Sequence, residues 1–136
     1  MGKTAIDSGR TNISISGKTR WHSLRAALAG LAFVIRTQRN AHIELAATAL
    51  VAGLAVWLRV SALEGALLAL AIGVVFVAEM INTAIEQAVD LIMPERHQLA
   101  GIAKDAAAAG SLEAALTAFV VGLFIFGPRL GPLMAR

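Results

Sequence analysis

Apolar positions dominate the chain from about position 41 onward and come in three long blocks, Ala41 to Leu58, Val60 to Ala78 and Ala106 to Pro128. A helix crosses a bilayer core with about 20 largely apolar residues. Each block carries a charge near or inside it: Glu44 in the first, Glu64 in the second, Glu113 in the third. The uninterrupted stretches Leu45–Leu58, Gly65–Ala78 and Ala114–Pro128 are each short for a span. Three of them leave too little polar sequence to cover them in water, so the pattern predicts three membrane helices, over 41–58, 62–91 and 104–128. Upstream, Trp21, Leu24, Leu28, Leu31 and Ile35 recur at helical spacing, with Arg20, Arg25 and Arg36 beside the stripe. A basic amphipathic helix of this kind lies in the membrane interface, which predicts a surface helix over 19–39. Residues 1–18 are polar and rich in Ser, Thr and Gly, the composition of a poorly ordered tail. No apolar run follows Met1 directly, so no cleaved signal peptide is expected. The expected fold is all-α and integral to the membrane, with 19–136 forming one domain.

Composition agrees. Of the 136 residues, 57% are hydrophobic and 15% charged, against roughly 25% charged in soluble domains. The mean hydropathy is +0.71. There is no cysteine, which excludes disulfides, thiolate nucleophiles and Cys-based zinc sites.

The net charge of +3 would suit nucleic acid, but its placement follows membrane topology instead. Lys3, Arg10, Lys18, Arg20, Arg25, Arg36 and Arg39 precede the first block, and Arg96 and Lys104 follow the second. Only Arg59, Arg129 and Arg136 fall on the other side. Basic loops stay inside, so the N-terminus and the 94–101 loop are expected in the cytoplasm. No nucleic-acid partner is expected. Trp21 and Trp57 fit interfacial anchors, and the run Ala106–Ala109 with Gly110 and Ser111 fits a close helix–helix contact.

The second membrane helix continues beyond its apolar run into Glu79, Asn82, Glu86 and Asp90. At 100° per residue the last three lie about −60°, −20° and +20° from Glu79, on one stripe. Ionisable groups in a membrane helix are expensive and face protein or a wet cavity. Glu79 lies about 24 Å along the axis from Leu63, near the cytoplasmic boundary, where a water-soluble reagent can meet a lipid head group. Carboxylates from two helices with Lys104 and Asp105 suit a divalent metal and a phosphate. Interfacial charges that fix helix depth, or an ion path through a small transporter, remain open from the residues alone. No Walker A loop, Gly-rich kinase loop or Rossmann fingerprint is present.

The run Glu79-Met80-Ile81-Asn82-Thr83-Ala84-Ile85-Glu86, followed by Val89-Asp90, His97 and Gly101-Ile102-Ala103-Lys104-Asp105, resembles the prokaryotic diacylglycerol kinase family. The likeness extends from about Trp21 to Pro128, and Gln38-Arg39-Asn40 is more similar to the undecaprenol kinase branch. The resemblance implies a homotrimer in the bacterial inner membrane with its active site on the cytoplasmic side. It implies transfer of the γ-phosphate of MgATP to a lipid hydroxyl, of diacylglycerol or undecaprenol, with sites shared between neighbouring chains. By position, Glu79 resembles the general base and Asn82 a residue that positions the base or lipid. Glu86 resembles a ligand of the magnesium bound to ATP. Lys104 and Asp105 resemble ATP contacts, and His97 and Gly101 border the nucleotide. The chain departs from the family at Gln38, where a second metal-ligating Glu is usual, at Ala26, where an aromatic is expected, and at Glu113, where relatives are apolar. The Gln38 departure admits a catalytically weakened member as the alternative reading.

Overall fold

In the computed structural model, which describes residues 17–134, the chain forms four helices and no strand. They are α1 (Gly17–Thr37), α2 (Arg39–Trp57), α3 (Ala62–Ile92) and α4 (Gln98–Met134). The tail read over 1–18 lies outside the described residues up to position 16, and Gly17 and Lys18 already belong to α1. Segments Arg39–Trp57, Ala62–Ile92 and Gln98–Gly131 are each long and apolar enough to cross a membrane. Only 6%, 22% and 11% of their apolar stretches are buried within the chain. The large apolar side chains left outside, among them Leu50, Val56, Leu70 and Phe124, have lipid or another chain as their natural surroundings.

Local chemistry sets the helix ends. Gln38 breaks the backbone between α1 and α2 with an extended conformation (φ −96°, ψ 121°). The α2–α3 turn is tight, and Arg59 occupies the left-handed region at φ 50°, where a residue with a Cβ is uncommon. Ser61 then caps α3. Its hydroxyl accepts from the Glu64 N–H at 3.3 Å, and its own N–H donates to Glu64 Oε2 at 2.8 Å. This reciprocal box satisfies two orphan donors. At the other end α3 stops at Ile92, two residues before Pro94, a residue that cannot donate to a continuing helix.

Helix α4 differs most from the sequence expectation. It starts at Gln98, inside the segment read as a loop to Gly101, and runs past Pro128 to Met134. The early start has a cap: His97 Nδ1 accepts from the Leu99 N–H at 3.2 Å. Past Pro128, the Arg129 guanidinium donates to the Ile125 carbonyl at 2.7 Å.

Helices α3 and α4 pack antiparallel as the main pair, with α2 against α3 and the C-terminal part of α1 alongside. Leu68, Ile125 and Phe126 form the core at the end carrying the α2–α3 turn, with Val51, Leu54 and Leu58 against them. An apolar cavity of about 480 Å³, lined by all three spanning helices, runs from this core towards the other end, from Leu68 and Leu130 to Ile43 and Glu44. Beyond it lies the polar stripe of α3.

Candidate functional site

The stripe is built by helical repeat. Glu79, Asn82, Glu86 and Asp90 follow each other along one side of α3, and α4 runs back beside it. The two helices share a register. Glu79 and Glu86 are seven residues apart on α3, and Lys104 and Ser111 are seven apart on α4. In each case this is about 10 Å of axis and nearly the same face.

At the inner end, Glu79 is 2% exposed and is the largest fully buried side chain among those described. Ser111 Oγ donates to Glu79 Oε2 at 2.7 Å. Glu44, on α2, is near Glu79 and lines the apolar cavity. Glu44 Oε2 is buried without a hydrogen-bond partner. Asn82 and Thr83 are also buried, at 6% and 2% exposed, and Asn82 Oδ1 and Thr83 Oγ1 have no partner. An uncompensated buried polar atom is costly, so these unpaired atoms mark places where a bound group would gain hydrogen bonds.

At the outer end, Asn82 Nδ2 makes a long contact of 3.5 Å with Glu86 Oε1. Lys104 Nζ forms an ion pair with Asp90 Oδ1 at 2.8 Å, and the charge of Glu86 acts on Lys104 as well. Asp90, His97, Gly101 and Lys104 line an open polar cleft of about 430 Å³ bordered by the 93–97 loop. A Cβ built on Gly101 meets nothing within 4 Å, so the cleft has open space at this point.

The structure therefore gathers most of the residues expected from the sequence. Glu79, Asn82 and Glu86 share the stripe, and His97, Gly101 and Lys104 share the cleft. Asp105, next to Lys104, is exposed and does not line the cleft. Gln38 is half-buried at the joint between α1 and α2, and its side chain makes no capping bond. Ala26 is exposed on α1. Two residues that sequence reasoning did not place in the chemistry stand beside Glu79: Glu44, and Ser111, which was read only as part of a helix–helix contact.

The ligand atoms on the stripe are hard oxygens, from Glu86, Asp90 and Asn82, and Gln38 at the α1–α2 joint carries a further amide oxygen. No group of three His, Cys, Asp or Glu among the described residues is arranged to hold a metal. Magnesium engages one or two carboxylates and completes its shell with water and substrate phosphates. The set thus fits a magnesium ion that arrives with a nucleotide.

Between the cavity and the stripe the geometry is continuous. Val75 and Ala115 line the cavity, and Glu79 and Ser111 each lie one helical turn further towards the polar end. Glu44 and Thr48 are the polar residues of an otherwise apolar lining. An apolar chain in the cavity would have its polar end at the carboxylates.

Residues 25–126 match the family described as prokaryotic diacylglycerol kinase. Similar proteins include a diacylglycerol kinase of Synechocystis, 41% identical over 82% of this chain and 65% of that protein. An undecaprenol kinase of Bacillus subtilis is 41% identical over 70% of this chain and 77% of that protein. A diacylglycerol kinase of Escherichia coli is 32% identical over 91% of this chain and 96% of that protein. The match thus spans just under two thirds of the Synechocystis protein and nearly all of the Escherichia coli one.

Proposed function

The chain belongs to the prokaryotic diacylglycerol kinase family, and from that premise we propose that it transfers the γ-phosphate of ATP to the hydroxyl of a membrane lipid. The observation that carries the reading is a buried carboxylate, Glu79, one helical turn beyond an apolar cavity and on the polar stripe that leads to a polar cleft. Phosphoryl transfer asks a protein for positioning, charge stabilisation and a group that orients the nucleophile. Glu79 accepts the proton of the lipid hydroxyl. Asn82 positions that hydroxyl or the base. Lys104 contacts phosphate oxygens from the cleft, where His97 and Gly101 border the nucleotide and Asp105 contacts ATP from the exposed side. Magnesium, when bound with ATP, offsets phosphate charge, and Glu86 with Gln38 would hold it. The substrate is a lipid alcohol of the diacylglycerol or undecaprenol type, the two named among the relatives.

The chain is a multi-pass membrane protein. Its basic loops favour a bacterial inner membrane with the N-terminus and the cleft in the cytoplasm. The homotrimer implied by the family completes the reading, and Glu113 supports it. This carboxylate projects from the exposed surface of α4 within a candidate span. A charge facing lipid there is expensive, and a neighbouring chain would cover it. Glu79 itself needs no such cover, because its own chain already buries it.

The test is phosphotransfer from labelled ATP to diacylglycerol and undecaprenol in the same detergent, with native protein and Glu79→Gln. Native protein should yield phosphorylated lipid, and the variant should lose about 10²–10⁴-fold in turnover, the contribution of a positioned base. Turnover within a few-fold of native would remove Glu79 from the chemistry. Nucleotide or lipid binding without product would identify a weakened member, and ion flux without product a transporter.

A further inference from the structure

We propose that Ser111 is a positioning residue for Glu79, holding one oxygen of the carboxylate so that the other is presented to the lipid hydroxyl. The proposal rests on the reading of Glu79 as the proton acceptor. Three observations carry it.

The first is the bond itself. Ser111 Oγ donates to Glu79 Oε2 at 2.7 Å, a well-formed hydroxyl–carboxyl hydrogen bond. The bond engages Oε2 alone, which leaves Oε1 for a second partner. A carboxyl held at one oxygen loses its freedom of rotation about the last side-chain torsion, and the remaining lone pairs point in a fixed direction.

The second is the setting. From position 106 to position 110 α4 carries only Ala and Gly, so the first turns after Asp105 offer no side-chain donor before Ser111. Small residues at this stretch let the helices approach, and the approach brings one hydroxyl to Glu79, the one fully buried carboxylate among the described residues. Close packing alone accounts for the alanines and the glycine. It does not require a hydroxyl at 111.

The third is the register of the two helices. The shared register places Ser111 on the face of α4 that also carries Lys104, so one helix aims the base at one end and reaches the phosphates at the other.

The experiment measures lipid phosphorylation by Ser111→Ala and Ser111→Thr, each checked for native elution in detergent, beside Glu79→Gln. Ser111→Ala should lower kcat by about tenfold to a hundredfold, the scale of a misplaced reacting group. The KM values for ATP and for lipid should stay within about twofold, since the lost interaction serves the transition state rather than binding. Ser111→Thr keeps the hydroxyl and should restore most of the turnover. An unchanged kcat in Ser111→Ala would overturn the proposal. So would a raised KM at constant kcat, or an equal loss in the Ala and Thr variants, which would mean packing. The two readings fail separately: Glu79→Gln with near-native turnover removes the base, whereas an inactive Glu79→Gln beside a fully active Ser111→Ala removes only the role of Ser111.

Discussion

Arg129 grips Glu64 with both terminal nitrogens, Nη1 on Oε1 at 2.9 Å and Nη2 on Oε2 at 2.8 Å. The pair ties the first turn of α3 to α4 at the end of the bundle away from the cleft. Bidentate geometry of this kind adds orientation as well as attraction. Glu64 does two further things there, because the same Oε2 accepts from the Ser61 N–H and hydroxyl. The clasp and the helix cap therefore meet on one carboxylate.

That sharing orders the cost of two substitutions. Arg129→Gln breaks the clasp but leaves the Ser61–Glu64 box in place. Glu64→Ala removes both. Thermal unfolding in detergent should show the smaller loss for Arg129→Gln and the larger for Glu64→Ala, with the latter down by roughly 5 °C or more. Both variants should keep their KM for ATP, since the clasp lies at the opposite end from the cleft. Equal midpoints for the two variants would mean that the cap contributes nothing beyond the clasp.

How much of this was legible in the sequence depended on distance along the chain. The stripe of Glu79, Asn82 and Glu86 follows from helical repeat, a local property, and the motif that resembles the family lies within it. The three apolar blocks were legible for the same reason. The pairs that bind one helix to another were not. Ser111 with Glu79, Arg129 with Glu64 and Lys104 with Asp90 are separated by 32, 65 and 14 positions. Their meeting depends on the interhelical register, which no local pattern contains. One missed feature did have a local signal: Ser61-Ala62-Leu63-Glu64 carries the Ser-x-x-Glu spacing of a capping box. The early start of α4 was hidden by Gly101, a residue that reads as loop but here lies in the first turns of a helix capped by His97.

Gly101 gives a prediction in which stability and binding move in opposite directions. It sits in α4 with open space where a Cβ would be, and that space belongs to the polar cleft. Replacing a helical glycine by alanine stabilises by about 0.4–1 kcal/mol, chiefly by restricting the unfolded chain. The same methyl group would occupy room that the nucleotide needs. Gly101→Ala should therefore unfold at a higher temperature while its KM for ATP rises several-fold. Lys104→Met, which removes the cation from the cleft, should raise that KM by roughly tenfold or more, the scale of a charge-assisted bond to phosphate. An unaltered KM in both variants would place the nucleotide elsewhere.

The last prediction concerns Gln38, where the resemblance to the family implies a glutamate. Gln38 occupies the N-cap position of α2, but its side chain makes no capping bond there. The amide is thus free to serve another partner, and replacing it costs no cap. A carboxylate at the same position would also sit at the positive end of the α2 dipole, a favourable place for negative charge. Gln38→Glu should fold as the native protein does. Its effect should appear in the metal requirement, because magnesium prefers hard anionic oxygens and uses only one or two protein carboxylates. An amide oxygen supplies a ligand without the charge, so the native protein is expected to work but to need more magnesium. Glu44 does not make up the difference. It faces the apolar cavity and Glu79, and it lies about −120° around the helix from Gln38 by the 100° step. A magnesium titration of lipid phosphorylation at fixed ATP compares the two proteins directly. A half-saturating concentration several-fold lower in Gln38→Glu would place position 38 at the metal. Identical curves from two active proteins would take it away from the metal and leave Glu86 as the chain's own ligand.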